Sequence, residues 1–249
     1  MGWSTKPMQS VSPQYEAEEK ITVNGNVDLY AVVFNRTTET DLTEDQLPQV
    51  DIYKYKQVIF VGDSRTEFME NVLTGMGESA TKNVKFVCSA GKGLDWFTTT
   101  GWAQLYSIVQ HDSNSILSKK TAVIFNFGVN DLSKSADYAE YYNWIAPQLK
   151  SKGCELYFMS VNPVNRLMLS NAGRADRSEA AVRSFNQYMK ANLSSAYTYI
   201  DMYSYLKSTG YSFASDHYGT GTVDDGLHYT TRTYKRIFAK CMDSLRVPA

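Results

Sequence analysis

The sequence predicts an α/β fold, a doubly wound three-layer α/β/α sandwich over a five-stranded parallel sheet, and three observations predict it. From about Lys56 onward, short β-branched and aromatic runs alternate with longer stretches of helical periodicity, the pattern of successive βα units. The short runs are nearly continuous in apolar residues, as strands are when helices cover both faces of a sheet. A chain of 249 residues with 43% hydrophobic side chains holds one large domain and leaves room for a small appendage.

The expected strands are Gln57–Gly62, Val84–Ser89, Ala122–Phe127, Glu155–Val161 and Tyr197–Asp201. Amphipathic segments between them predict helices at about Thr66–Met76, Trp96–Gln110, Ala136–Lys150 and Arg174–Leu193, and a closing helix at Thr231–Leu245. Right-handed crossovers distribute such helices over both faces. Ligands of these sheets bind beyond the carboxyl ends of the strands, so the residues just after each strand are where chemistry is expected.

The first 50 or so residues differ in character. A Pro/Ser/Glu-rich start leads into a β pattern at Ile21–Phe34, broken by the turn signal Asn24-Gly25-Asn26, and then into an acidic polar stretch, Thr37–Asp51. The expected division is a β-hairpin appendage over 1–36, a linker over 37–55 and the main domain over 56–249. A hairpin of this size is too small to be stable alone. Gly2-Trp3-Ser4, Tyr15 and Ile21-Thr22-Val23-Asn24-Gly25 through Leu29-Tyr30-Ala31-Val32 resemble the second half of an internalin-type B-repeat of bacterial surface proteins. That resemblance implies an extracellular or cell-surface location and a longer parent protein; an ordinary N-terminal hairpin fits the same residues.

Composition excludes several classes of function. The 25 basic and 26 acidic side chains give a net charge of −1, with no basic run longer than Lys119-Lys120, which argues against nucleic acid as a partner. The longest apolar stretches, Thr121–Gly128 and Leu156–Val161, match buried strands and are too short for a membrane span. No signal peptide is visible in the first ten residues. Cys88, Cys154 and Cys241 are an odd, widely spaced set without a Cys-x-x-Cys pair, and read as small buried hydrophobes rather than a zinc or disulfide framework. Neither a metal site nor a cofactor is expected.

Four segments beyond strands or before helices could carry chemistry. Gly62-Asp63-Ser64-Arg65 puts a serine at a helix start, where unpaired N–H groups and the helix dipole favour developing negative charge, although Asp and Ser there also serve as ordinary caps. Ser89-Ala90-Gly91-Lys92-Gly93 is a glycine loop whose backbone can approach a ligand closely, or a plain turn. In Gly128-Val129-Asn130-Asp131, Asn130 can offer an uncharged N–H donor to an oxyanion, or cap a turn. In Asp225-Gly226-Leu227-His228, a turn lets the carboxylate hold Nδ1 of the imidazole while Nε2 faces a serine hydroxyl. His111, at a helix end, and His217, beside Asp216, are weaker candidates.

Together these segments assemble a serine hydrolase site. In this order they also resemble the blocks of the SGNH (GDSL-type) hydrolase family over residues 56–245. The resemblance implies a flavodoxin-like fold and ester hydrolysis, with Ser64 as nucleophile, His228 as base and Asp225 as its orienter. It also implies an oxyanion hole made by the Ser64 and Gly91 backbone N–H groups and the Asn130 side chain. Arg65 stands where the family motif has leucine, and is expected to face solvent from the first helical turn; a substrate clamp is the alternative. The expected substrates are O-acetyl esters of carbohydrate or cell-wall polysaccharide; lipid esters or thioesters, and a non-catalytic glycan-binding surface module, are the alternatives. Among 18 Tyr and four Trp, those near the blocks, Trp96, Trp102 and Tyr218, are candidate platforms for sugar rings.

Overall fold

The computed structural model describes residues 2–5, 15–16, 20–32, 41–51, 54–112, 120–215 and 224–245. Strands β1 (Gly2–Ser4), β2 (Tyr15–Glu16) and β3 (Tyr30–Val32) form an antiparallel sheet in the order β2-β1-β3. The expected antiparallel appendage is present with a different pairing. Asn24 and Gly25 form a bend with no strand on either flank, and Trp3 of β1 lies opposite both Tyr15 and Ala31. Using both edges of β1 gives three strands a ladder where a hairpin within 21–34 would pair only two. Phe34 lies outside the described residues. The stretch 41–51, read as linker, packs on the main domain: Leu47 and Val50 are buried in the same cluster as Phe60 and Phe238.

The main sheet consists of β4 (Tyr55–Gly62), β5 (Val84–Cys88), β6 (Lys120–Asn126), β7 (Cys154–Met159) and β8 (Tyr197–Ile200), all parallel in the order β5-β4-β6-β7-β8. The expected five strands are all present, with ends displaced by one or two residues. Alternate side chains enter two separate cores. Ile59, Val61, Val123 and Phe125 face one side, and Val58, Phe60, Ala122 and Ile124 face the other. Such burial on both faces is what the unbroken apolar runs encode.

Helices close both layers. The connections supply α1 (Ser64–Thr74), α2 (Glu78–Thr81), α3 (Leu94–Trp96), which passes through a π turn at Phe97–Gly101 into α4 (Trp102–Asp112), and α5 (Ser135–Ser151). After β7 come α6 (Arg166–Asn171) and α7 (Glu179–Asn192), and after β8 come α8 (Met202–Thr209), the antiparallel pair β9 (Phe213–Ser215) and β10 (Asp224–Tyr229), and α9 (Thr231–Ser244). Leu105 of α4, Ile145 of α5 and Phe185 of α7 fill the first core; Leu73 of α1, Leu206 of α8 and Phe238 of α9 fill the second. No helix among the described residues is long and apolar enough to cross a membrane.

Sequence periodicity does not reveal α6, α8 or the β9–β10 pair, because six to eight helical residues make barely two turns and β10 is polar. Side-chain caps start these helices. Asn165 accepts from the Met168 N–H at 3.0 Å and Asp201 from the Ser204 N–H at 3.1 Å, satisfying donors that a helix start leaves unpaired.

The register aligns the carboxyl end of the sheet. Gly62 lies beside Cys88 on one side and Asn126 on the other, so the segments after β4, β5 and β6 emerge at one edge. Here the strand order reverses direction, the crevice where sheets of this kind bind ligands.

Candidate active site

Ser64 opens α1 because Asp63 caps the helix, its carboxylate accepting from the Arg65 N–H at 3.0 Å. The serine is buried at the bottom of a pocket, with its Oγ 2.9 Å from Nε2 of His228. His228 Nδ1 lies 2.6 Å from an oxygen of Asp225. The other Asp225 oxygen accepts from the backbone N–H groups of Leu227 at 2.8 Å and His228 at 2.7 Å. Because Nδ1 faces a carboxylate, the neutral ring carries its proton there and leaves Nε2 as an acceptor toward the serine hydroxyl.

The Asp-x-x-His turn depends on the glycine within it. Gly226 has φ +70°, and a Cβ there would lie 2.5 Å from the Asn165 carbonyl oxygen and 2.8 Å from the Leu169 nitrogen. With no side chain, the turn packs against the start of α6, and the Gly226 carbonyl accepts from the Asn165 N–H at 2.9 Å. Phe68 packs against the imidazole in a T-shaped arrangement, with ring centroids 4.5 Å apart.

Arg65 overturns the expectation of a solvent-facing residue. It is 3% exposed, and its guanidinium donates to the carbonyls of Leu227 at 3.0 Å, Asn162 at 2.9 Å and Pro163 at 2.8 Å while lying over the Tyr229 ring. Three backbone acceptors from the segment after β7 and from β10 converge beside α1, and a planar group with five donors satisfies them together. Leucine here would take the guanidinium donors from the buried Leu227 and Asn162 carbonyls and leave Pro163 with only the Tyr229 hydroxyl, so Arg65→Leu is expected to lower unfolding free energy by about 3 kcal/mol or more. Denaturant titration checks this, and an unchanged midpoint would contradict it.

Titration fits a neutral base. Burial pushes the His228 pKa below its ordinary value, with the charges of Arg65 and Arg174 acting the same way and Asp225 opposing them. Burial alone would raise Asp225, but the hydrogen bonds and charge of His228 outweigh it and hold the carboxyl below the usual range. Arg174 adds a contact to the same carboxylate at 3.4 Å. A base must be unprotonated, so activity falls as acid charges the ring. We expect kcat/KM to reach half its plateau below pH 6.5, the ordinary histidine value, and to stay level through neutrality. Asp63, which burial pushes up to about 6, titrates in the same range. The acid limb that persists in Asp63→Asn therefore belongs to His228; a limb centred above pH 7 in that variant would contradict the assignment.

Ser64, Gly91, Asn130 and His228 line one pocket of about 570 Å³, completed by Ala90, Ala172, Gly173, Arg174, Ala175, Arg177 and Leu227. The structure thus brings together Ser64, His228, Gly91 and Asn130, with Asp225 buried directly behind His228. Gly91 has φ +69°, a conformation that favours glycine, and Glu67 anchors its loop by accepting from the Ala90 N–H at 2.6 Å. Asp131 serves structure: its carboxylate accepts from the Leu94 N–H and the Tyr138 hydroxyl. Trp96 and Trp102 do not reach the pocket. They pack against the core, Trp96 near Phe127 and Trp102 near Tyr106. Asp216, His217 and Tyr218 lie outside the described residues, as does the side chain of His111. Sequence reasoning missed Glu67, Arg174 and Arg177, whose importance arises only where the chain folds back over the strand ends.

A parallel α/β/α sandwich carrying a hydrogen-bonded Ser-His-Asp chain beyond its strand ends defines the class, an α/β hydrolytic fold with a serine site. The sequence matches the GDSL-like lipase/acylhydrolase family over residues 58–241, and the chain belongs to that family. Among solved structures it is similar to a Bacteroides fragilis protein described as an acylhydrolase, at 16% identity and TM-score 0.51, covering 81% of this chain and 92% of that one. It is likewise similar to the acetyl xylan esterase AlAXEase, at 10% identity and TM-score 0.51, covering 76% of this chain and all of that one. At these identities the likeness concerns the fold. No curated protein sequence matches the chain significantly.

Proposed function

We propose that the chain is a serine esterase that removes short acyl groups, acetyl foremost, from carbohydrate or cell-wall polysaccharide. His228 takes the proton of Ser64 as Oγ attacks the ester carbonyl, and the tetrahedral oxyanion sits among the N–H groups of Ser64, Gly91 and Asn130. The imidazolium then protonates the departing alcohol, and water, deprotonated in turn by His228, releases the acid and restores Ser64. Asp225 keeps the ring in the tautomer these transfers need.

The observation that carries the acyl preference is the pocket wall. Alanine and glycine at 90, 91, 172, 173 and 175, with Arg174 and Arg177, surround Ser64, and Leu227 is the one larger aliphatic side chain among the described lining residues. A long acyl chain needs an extended apolar channel, whereas an acetyl group needs a few small side chains. The adjoining cavity shares Gly173 and Arg174 with this pocket and adds Arg166, Ser170 and Asp176, polar groups that suit a hydroxylated leaving group. The shared fold with an acetyl xylan esterase is compatible with a carbohydrate substrate, and the N-terminal resemblance to surface repeats supports an extracellular setting.

Initial rates on p-nitrophenyl acetate and p-nitrophenyl octanoate, followed by acetate release from acetylated xylan and O-acetylated peptidoglycan, test the proposal. We expect kcat/KM for acetate to exceed that for octanoate by about tenfold or more, since each misplaced methylene counts against a site that cannot bury it. Preference for octanoate, or no acetate release from either polymer, would overturn the substrate assignment.

A further inference from the structure

Arg177 stands between α6 and α7, one residue before Ser178, whose hydroxyl caps α7. Its guanidinium grips two neighbouring residues: Nε donates to the Val129 carbonyl at 2.7 Å, and Nη2 donates to Oδ1 of Asn130 at 3.0 Å. Nη1 donates to the Ala175 carbonyl at 3.1 Å. All three acceptors are uncharged, and one of them is the side-chain oxygen of a residue that lines the pocket.

This contact determines which end of the Asn130 amide faces the pocket. Arginine offers donors only, so the amide oxygen must turn toward it and the nitrogen must turn away. The nitrogen then donates one hydrogen to the Lys92 carbonyl at 2.9 Å, one residue beyond Gly91, and keeps a second for a ligand in the pocket it lines. Without Arg177 the amide can rotate and present Oδ1, an acceptor, to a developing oxyanion, converting attraction into repulsion. A cation on Oδ1 also draws electron density from the amide and strengthens its remaining N–H as a donor.

From this arrangement we infer that Arg177 is a positioning residue of the oxyanion hole: it fixes and polarises Asn130, and through Lys92 it ties the Gly91 loop to the same network. The inference rests on the esterase reading above and deepens it. Arg177 acts in the transition state through a donor that a ground-state ester engages weakly, so its loss lowers kcat and leaves KM nearly unchanged.

The test is a double-mutant cycle on p-nitrophenyl acetate with Arg177→Met, Asn130→Ala and the double variant, together with Arg177→Lys. Asn130→Ala should lower kcat by about 10²–10³-fold, the effect of losing one oxyanion donor. Arg177→Met should lower it by about 10–100-fold with KM within about twofold, and the double variant should match Asn130→Ala within about threefold, because Arg177 then has no amide to orient. Arg177→Lys should fall between, since an ammonium is a point donor that cannot grip Val129 and Asn130 as a fork.

Arg177→Met with kcat within twofold of wild type would overturn the inference. So would an Arg177→Met effect as large on the Asn130→Ala background as on wild type, since Arg177 would then only brace the loop. Should Arg177→Met fail to fold, Arg177→Lys alone and combined with Asn130→Ala supplies the same comparison. Failure of the underlying reading looks different: turnover independent of Ser64, or Asn130→Ala at wild-type rate, removes the site itself rather than the role of Arg177.

Discussion

Replacing Ser64 by alanine is expected to reduce kcat on p-nitrophenyl acetate by about 10⁵-fold or more while leaving the fold intact. Among the described lining residues the hydroxyl is the one group placed to attack, 2.9 Å from an imidazole nitrogen and at the start of α1 where the backbone can stabilise the oxyanion. Alanine keeps the helix and the Asp63 cap, because that cap bonds the Arg65 N–H and uses no atom of the serine side chain. Loss of rate with an unchanged unfolding midpoint would therefore report chemistry. The oxyanion donors remain in the variant, and whatever acceleration survives measures their contribution without a nucleophile.

Asp225→Asn is expected to cost nearly as much, about 10⁴-fold in kcat. One Asp225 oxygen accepts the backbone N–H groups of Leu227 and His228, and the other faces Nδ1 of His228 and the Arg174 guanidinium. An amide NH₂ in either place meets donors. If it faces Nδ1, the ring must move its proton to Nε2, which then donates to Ser64 and can no longer take the serine proton. If it faces the backbone, the turn loses two buried hydrogen bonds, and an unfolding midpoint well below wild type would reveal it. Wild-type kcat in Asp225→Asn would contradict the role given to this carboxylate.

The parts of the molecule legible in the sequence are those governed by short-range chemistry. Apolar runs such as Val58–Val61 and Ala122–Phe125 announce strands buried on both faces, and Asp-x-x-His and Gly-x-Asn-Asp place donors and acceptors at distances that local turns enforce. Arg65 was misread because its position in the first helical turn says nothing about carbonyls delivered from residues 162, 163 and 227. Arg177 escaped for the same reason: its partner Asn130 lies 47 residues away. The aromatic rings at 96 and 102 illustrate the converse, since closeness to a motif in sequence did not bring them to the pocket, and packing on Phe127 and Tyr106 claimed them instead.

The proposed mechanism makes Ser64 a nucleophile activated by His228 and Asp225. Incubation with a fluorophosphonate near neutral pH, followed by intact-mass measurement and peptide mapping, tests it most directly, because the reagent forms a stable bond only with an activated hydroxyl. A single adduct is expected, located on Ser64, absent from Ser64→Ala and strongly slowed in Asp225→Asn. An unlabelled but folded wild-type protein, or an adduct on another residue that persists in Ser64→Ala, would contradict it.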